Sequence, residues 1–322
     1  MRLLTIRSRG EQRLVGQSDP ETLLDLNRAC ELRLAERGES RARARARAAV
    51  ELPPEMIAFL EGGEAALVAA RHALAFGSDL VLRDRERAWA AGVLVAPDEP
   101  GLEWLAPVPA PRSVLAVAVN YRDHAAEMGR ELPARPKIFA KLVSCIIGTG
   151  AAIVRPRVSH FVDWEGELCA VIGRPARHVA AADALDFVAG YTIGNDVTAR
   201  DWQLHSPTLM MGKGFDTFGP LGPVLVTRDE VPDPQSLAIR TLVKGVVKQD
   251  SNTRHMIFSV AQIIEYLSTA FTLRPGDVIF TGTPPGVGAG REPPESLAAS
   301  DVVRVEISSL GALENPVIDE PA

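Results

Sequence analysis

Three carboxylates in this chain are spaced for metal chemistry. Glu165 and Glu167 stand one residue apart in Val162-Asp163-Trp164-Glu165-Gly166-Glu167-Leu168, which runs on into the apolar stretch Cys169-Ala170-Val171-Ile172-Gly173. Side chains two apart on a strand share a face, so both carboxylates are expected to converge beside a buried core. Like charges that lose their water repel unless a proton or a cation joins them, and a bound metal is the economical reading. Asp196, in Gly194-Asn195-Asp196-Val197-Thr198-Ala199-Arg200-Asp201, supplies a third carboxylate after the apolar stretch Val188 to Ile193. Oxygen-only donors suit magnesium, manganese or calcium rather than zinc, and three of them leave positions open to water and a chelating substrate. The competing reading is a set of separately solvated strand carboxylates; the neighbouring apolar segments favour the metal. Asp163 lies on the same alternating face and is expected to support the ligands rather than join them.

Other polar residues fall where they could serve such a centre. Asn120-Tyr121-Arg122-Asp123-His124-Ala125-Ala126-Glu127 directly follows a buried strand pattern, and His124 and Glu127, three apart, would share one face of a helical turn as a hydrogen-bonded dyad. Taken by itself this spacing is weak evidence and fits a polar surface turn better. Arg200 and Gln203 follow Asp196 at helical spacing and could reach a substrate carboxylate or carbonyl, although a structural role for Gln203 stands level with that reading. Lys213, between Gly212 and Gly214, can point inward without crowding and contact an enolate or carboxylate, against the ordinary fate of lysine, which is exposure. The run Thr281-Gly282-Thr283-Pro284-Pro285-Gly286-Val287-Gly288-Ala289-Gly290 looks like a phosphate loop, but it lacks the terminal Gly-Lys-Ser/Thr and is followed by Pro293-Pro294, which opposes a helix. Its amides and Thr283 are expected to contact a substrate carboxylate. His160, His178, His205 and His255 show no ligand spacing.

The elements that must position these residues belong to an ordinary globular chain of 322 residues, 46% hydrophobic and 24% charged. A net charge of -6 argues against nucleic acid or anionic membrane as a bulk partner. Cys30, Cys145 and Cys169 show no CxxC pattern and read as buried thiols of a reducing compartment. Charges interrupt the apolar residues of Met1 to Arg7, unlike a signal peptide, and no apolar run reaches spanning length, so a soluble cytoplasmic protein is expected. Short strands are expected up to about Gly16, then a helix-like segment from Glu21 to Leu26, a solvated helix or loop over Arg41 to Ala48, and helices after Pro53-Pro54 and from Glu64 to Leu74. The prolines between Ala96 and Arg112 mark a connection, dividing the chain into a small N-terminal domain, 1–105, and a main body, 106–322. The body is strand-rich, with strands at Val114–Val119, Leu221–Val226, Leu237–Val243, Val278–Phe280 and Val302–Ile307, and helices at Asp183–Val188 and Ser259–Phe271.

From about Ser113 onward the ordered motifs resemble the fumarylacetoacetate hydrolase superfamily, in particular its acylpyruvate hydrolase and ureidoglycolate lyase-like branch. They are Asn120 to His124, Val162 to Leu168, Val188 to Thr192, Asn195 to Asp201, Gly212 to Pro220 and Pro275 to Pro284. The resemblance implies an α+β, β-rich fold, a mixed β-sandwich roll with a small N-terminal α/β domain, usually dimeric. It implies magnesium or manganese at Glu165, Glu167 and Asp196, a His124–Glu127 pair on a lid segment, an active-site Lys213, and substrate contacts from Arg200, Gln203 and Thr283. Two departures stand out: Leu204 to Met211 replaces a longer polar stretch, and Lys244-Gly245-Val246-Val247 replaces a more usual hairpin turn. The expected activity is metal-dependent hydrolysis of a carbon-carbon bond in a small acylpyruvate-like oxo-acid. The alternatives are a lyase, decarboxylase or isomerase of the same superfamily, and, further off, a non-catalytic metal-binding protein.

Overall fold

The apolar run after Glu167 forms the strand Gly166–Ile172, with all seven residues buried. Its side chains enter two cores in alternation: Cys169 and Val171 pack in one cluster, Leu168, Ala170 and Ile172 in another. A strand covered on both faces needs an apolar residue at every position, hence the continuous run in place of an alternating one. The computed structural model describes residues 1–321, and this strand lies within its largest sheet.

That sheet has twelve strands. Its main path runs Leu94–Val95, Thr22–Asp25, Glu11–Asp19, Arg2–Ser8, Gly219–Thr227, Val188–Asn195, Gly166–Ile172, Val278–Phe280, Val114–Ala118 and Lys137–Lys141. The N-terminal strands therefore extend the sheet of the main body, with Arg2 opposite Val226, and the proposed boundary near residue 105 is crossed by this pairing. One face of the sheet carries the N-terminal helices: Ala29, Phe59, Ala70 and Ala73 share a cluster with Val171, Leu225 and Phe280. The other face meets a five-stranded sheet of Val246–Asn252, Ala238–Val243, Val302–Ile307, Gly311–Asp319 and Ile153–Arg155. Ile239, Val305 and Leu313 pack there with Leu168, Tyr191 and Ile193. The result is the β-rich α+β sandwich expected from the motifs.

Several elements differ from the sequence reading. The segment expected as a helix from Glu21 is the strand Thr22–Asp25, and the helix begins only at Leu26, where the Asp25 side chain accepts the Arg28 N–H. Leu23 and Leu24 enter opposite cores, which a strand allows and one face of a helix does not. The segment Asp183–Val188 shortens to one helical turn, Ala181–Ala184, and a 3-10 turn, because Val188 already begins the next strand. The Arg-Ala run is the helix Arg41–Glu51, with Ala44 and Ala48 buried beneath exposed arginines. The helix Gly63–Arg83 is longer than expected and is, by length and composition, apolar enough to cross a membrane, contrary to the expectation that no segment reaches that length. Its Ala66, Ala69, Ala70, Ala73 and Gly77 are buried against the N-terminal elements, and Arg71 pairs with Glu64 and Asp229. Ser259 and Gln262 form a capping box at the start of Val260–Ala270, the helix expected there.

The two glutamates are separated by a glycine for a steric reason. A Cβ on Gly166 would lie 2.2 Å from Thr241 Oγ1 and 3.0 Å from Val305 Cγ1, both on the second sheet. Gly166→Ala is expected to push the sheets apart and lower stability by about 1–3 kcal/mol. Urea unfolding checks it, and an unchanged midpoint would show that the sheets pack more loosely here.

Candidate active site

Antiparallel register brings the acidic residues together. Gly166 pairs with Asn195 and Glu167 with Gly194, so the next step of the ladder sets Glu165 opposite Asp196. Glu165 lies just before the strand, in the break after Val162–Asp163, rather than on one continuous strand with Glu167 as expected. Its N–H donates to Asn195 Oδ1 at 2.9 Å and its carbonyl accepts the Asp196 N–H at 2.8 Å. A carboxylate oxygen from each of Glu165, Glu167 and Asp196 lies within 4.8 Å of the others, and all three residues are buried.

Three buried or nearly buried cations surround this group. The Lys213 ammonium donates to Glu165 Oε2 at 2.9 Å, Asp196 Oδ2 at 2.5 Å and Thr198 Oγ1 at 2.9 Å. Lys141 donates to Asp196 Oδ1 at 2.6 Å and to the Lys213 carbonyl at 2.5 Å. Arg200 bridges Asp163 at 2.8 Å and Glu165 at 2.7 Å. Burial pushes the Glu165 carboxyl up, but Lys213 and Arg200 outweigh it and hold it at about 2. Burial also opposes the Lys213 charge, yet Asp196 and Glu165 raise its pKa above the ordinary lysine value. Glu167 differs: burial first, then the charges of Asp196 and Glu165, push its carboxyl well above the usual range. Its Oε2 accepts the Gly282 N–H at 2.7 Å, and among the described residues it makes no ion pair. A buried carboxyl without a counter-ion beside two that are paired with cations fits a divalent cation, and the oxygen-only donor set suits a hard one.

The glycine-rich loop serves these carboxylates rather than a ligand. Gly282 N–H is spent on Glu167, Gly286 N–H donates to Glu127 at 2.8 Å, and Gly288 and Ala289 N–H donate to Asp163 at 2.6 and 2.9 Å. The expectation that these amides face a substrate carboxylate is therefore corrected; a nest of N–H groups stabilises whichever anion sits in it, and here the anions are the protein's own. Thr283 Oγ1 donates to the Gly166 carbonyl at 3.0 Å and accepts from Gln249 Nε2 at 2.8 Å.

His124 and Glu127 form the expected pair on the helix Arg122–Glu127, with Nδ1 and Oε2 2.9 Å apart. His124, though not Glu127, lines a cavity of about 40 Å³ with Arg130, Glu165, Asp196, Arg200, Gln203, Lys213 and Thr283 as its other polar residues. Val117, Val119, Met128, Phe139 and Leu209 supply apolar wall. Gln203 Oε1 accepts from Arg200 Nη1 at 3.3 Å, while Arg200 Nη2 is buried without a partner and is a donor left over for a ligand. Leu209 comes from the departure before Lys213, so that segment does add apolar wall.

Lys141 was not among the candidates, although two signals pointed to it: it is one of five lysines, and it shares a strand face with buried Phe139 while Lys137 is exposed. Removing it leaves one oxygen of a fully buried Asp196 without its cation. Lys141→Met is expected to destabilise the fold by on the order of 3 kcal/mol. Denaturant titration measures this, and a loss below 1 kcal/mol would show that Lys213 alone compensates Asp196.

Comparison with known proteins places this geometry in a family. Residues 113–318 match the family model described as fumarylacetoacetate hydrolase C-terminal. Over 269 residues, 83% of this chain and 79% of the relative, the sequence is 44% identical to a mitochondrial oxaloacetate tautomerase of Xenopus laevis. A 5-carboxymethyl-2-hydroxymuconate delta-isomerase from Mycobacterium smegmatis superposes over the whole of both chains with a TM-score of 0.69 at 31% identity. A fumarylacetoacetate hydrolase from Exiguobacterium antarcticum superposes with a TM-score of 0.74 at 30% identity, over 99% of this chain and all of the other. With the model matching well over half of its length and the acidic cluster seated in the corresponding fold, this chain belongs to the fumarylacetoacetate hydrolase family.

Proposed function

We propose that the chain transfers a proton at the carbon beside the ketone of a small 2-oxo acid, interconverting its keto and enol forms. The observation that carries this reading is His124, which pairs with Glu127 and lines the same small cavity as Glu165, Asp196 and Lys213. Magnesium or manganese, held by Glu165, Glu167 and Asp196, would supply Lewis acidity that makes the neighbouring C–H bond more acidic. Glu127 accepts the Nδ1–H of His124 and leaves Nε2 as the nitrogen free to take that proton. Gly286 fixes the other oxygen of Glu127, so the carboxylate stays in place to stabilise the imidazolium. Return of the proton to oxygen gives the enol and its return to carbon gives the ketone. Arg200 Nη2 offers a donor to the substrate carboxylate, and Lys213 lies beside the charge that develops on the enolate oxygen. The tautomerase and isomerase names of the relatives support the same reading.

Hydrolysis of a carbon-carbon bond in an acylpyruvate is the second reading, supported by the hydrolase described in the family model. It would use the same residues, with His124 taking its proton from water. Incorporation of labelled solvent oxygen into a cleaved product separates the two. A homodimer and a small oxo-acid partner remain part of this proposal.

Deuterium exchange from solvent into the substrate methylene, followed by NMR, tests the proton transfer. His124→Ala is expected to slow enzyme-catalysed exchange by about 10²- to 10⁴-fold. It should nevertheless retain the rise in Tm on adding magnesium or manganese, worth about 2.7 kcal/mol at a hundredfold excess over Kd. Glu165→Ala should lose both. Exchange that survives excess chelator, or is undiminished in His124→Ala, would overturn this reading.

A further inference from the structure

Eight non-glycine residues of the described chain take a left-handed backbone conformation. Six are polar; the two apolar ones, Val119 at φ 56° and Leu209 at φ 63°, both line the cavity shared by His124 and Lys213. The left-handed conformation drives Cβ against the following carbonyl, and a branched Cβ such as that of valine tolerates it least. Where the backbone near the site need only turn, the chain uses glycine, as at Gly129, Gly282 and Gly286. Core packing does not account for Val119, which is buried yet belongs to none of the three apolar clusters of the fold. Each of the two residues precedes a short helix that carries a polar group of the site. Val119 lies between the strand Val114–Ala118 and the helix Arg122–Glu127 with His124, and Leu209 directly precedes Met210–Lys213. Their neighbours hold them there. Buried Asn120 donates from Nδ2 to the Thr281 carbonyl at 2.7 Å and accepts the Phe258 N–H at 2.8 Å. The Leu209 N–H donates to the Ser206 carbonyl and the Leu209 carbonyl accepts the Gly212 N–H, each at 3.1 Å.

We propose that Val119 and Leu209 are specificity-determining residues that confine the substrate to a 2-oxo acid with no branch on the carbon beside its ketone. This deepens the function proposed above and rests on it. Glycine in either place would relieve the backbone and forfeit only the side chain, so the side chain is what the strain maintains. Strained residues persist where the surrounding structure over-determines them, and they gather at functional sites. The carbon that exchanges its proton must come within reach of His124. A methyl branch on that carbon would have to share a cavity of about 40 Å³ with the two apolar side chains. Neither can yield as a mobile surface side chain would: valine is stiff about χ1, and the backbone of each residue is tied to the turn beside it. The strain therefore keeps two apolar walls close to the reacting carbon, where glycine would leave open space.

The test measures deuterium exchange at that carbon in the magnesium-loaded protein for two pairs of acids, 2-oxobutanoate with 3-methyl-2-oxobutanoate and oxaloacetate with 3-methyloxaloacetate. The members of each pair differ by one methyl branch beside the ketone. Wild type is expected to favour the unbranched member of a pair it accepts by about 10- to 200-fold in kcat/KM, the range for one extra methylene against a fitted apolar wall. Val119→Gly and Leu209→Gly should each narrow that preference through faster exchange of the branched acid, and Val119→Ala should fall between wild type and Val119→Gly. A Tm rise with magnesium, retained in each variant, shows that it is folded with the ion site in place. A preference left intact in Val119→Gly or Leu209→Gly overturns the role of that residue, and so does an equal loss for both members of a pair. Wild type that exchanges branched and unbranched acids alike overturns the proposal for both residues, whereas wild type that exchanges no acid of either pair overturns the reading of the site itself.

Discussion

The crowding of Glu165, Glu167 and Asp196 at the end of a buried antiparallel pair is the constraint on which the rest depends. Three carboxylates that have lost their water cannot all ionise without positive charge nearby. The protein meets this with Lys141, Lys213 and Arg200, and leaves Glu167 without a cation. The same arrangement that makes the cluster costly in isolation fits a divalent cation with oxygen donors. The two sheets clamp it from behind, with Gly166 allowing Thr241 and Val305 to close over the backbone.

Around that cluster the chain distributes its backbone donors with unusual consistency. One loop, Thr281 to Gly290, sends N–H groups to Glu167 in the cluster, Glu127 behind His124 and Asp163 behind Arg200. It therefore connects the acidic floor, the His124–Glu127 pair and the Arg200 guanidinium. A charged group held by backbone amides needs little reorganisation when charge moves during reaction. Phosphate-loop likeness in the sequence reflects this need for exposed N–H groups at close approach, turned toward internal anions.

Much of this was legible in one dimension, and the failures have physical causes. Glu165, Glu167, Asp196, His124, Glu127, Arg200, Gln203, Lys213 and Thr283 lie around or immediately behind one cavity, as their types and spacing suggested. Lys141 escaped notice because a strand lysine is ordinarily exposed, and only the packing of its strand against Asp196 and the Lys213 carbonyl buries it. The segment Thr22–Asp25 was misread since acidic residues before leucines suit a helix start as well as a turn into an edge strand. The long helix Gly63–Arg83 was missed at its full length because alanine, glycine and interspersed charges give no single apolar run.

Local sequence by itself determined the chemistry available: which residues can ligate a hard cation, which pair can move a proton, and that the strand behind the acids is buried on both faces. Those properties follow from side-chain type and from separations of a few residues. Tertiary structure alone decided which charges meet. Glu165 faces Asp196 through strand register, Lys141 reaches Asp196 from 55 residues away, and the loop amides reach Glu127 across 159. Contacts of that range depend on how sheets close and pack, and no local pattern of residue types encodes them.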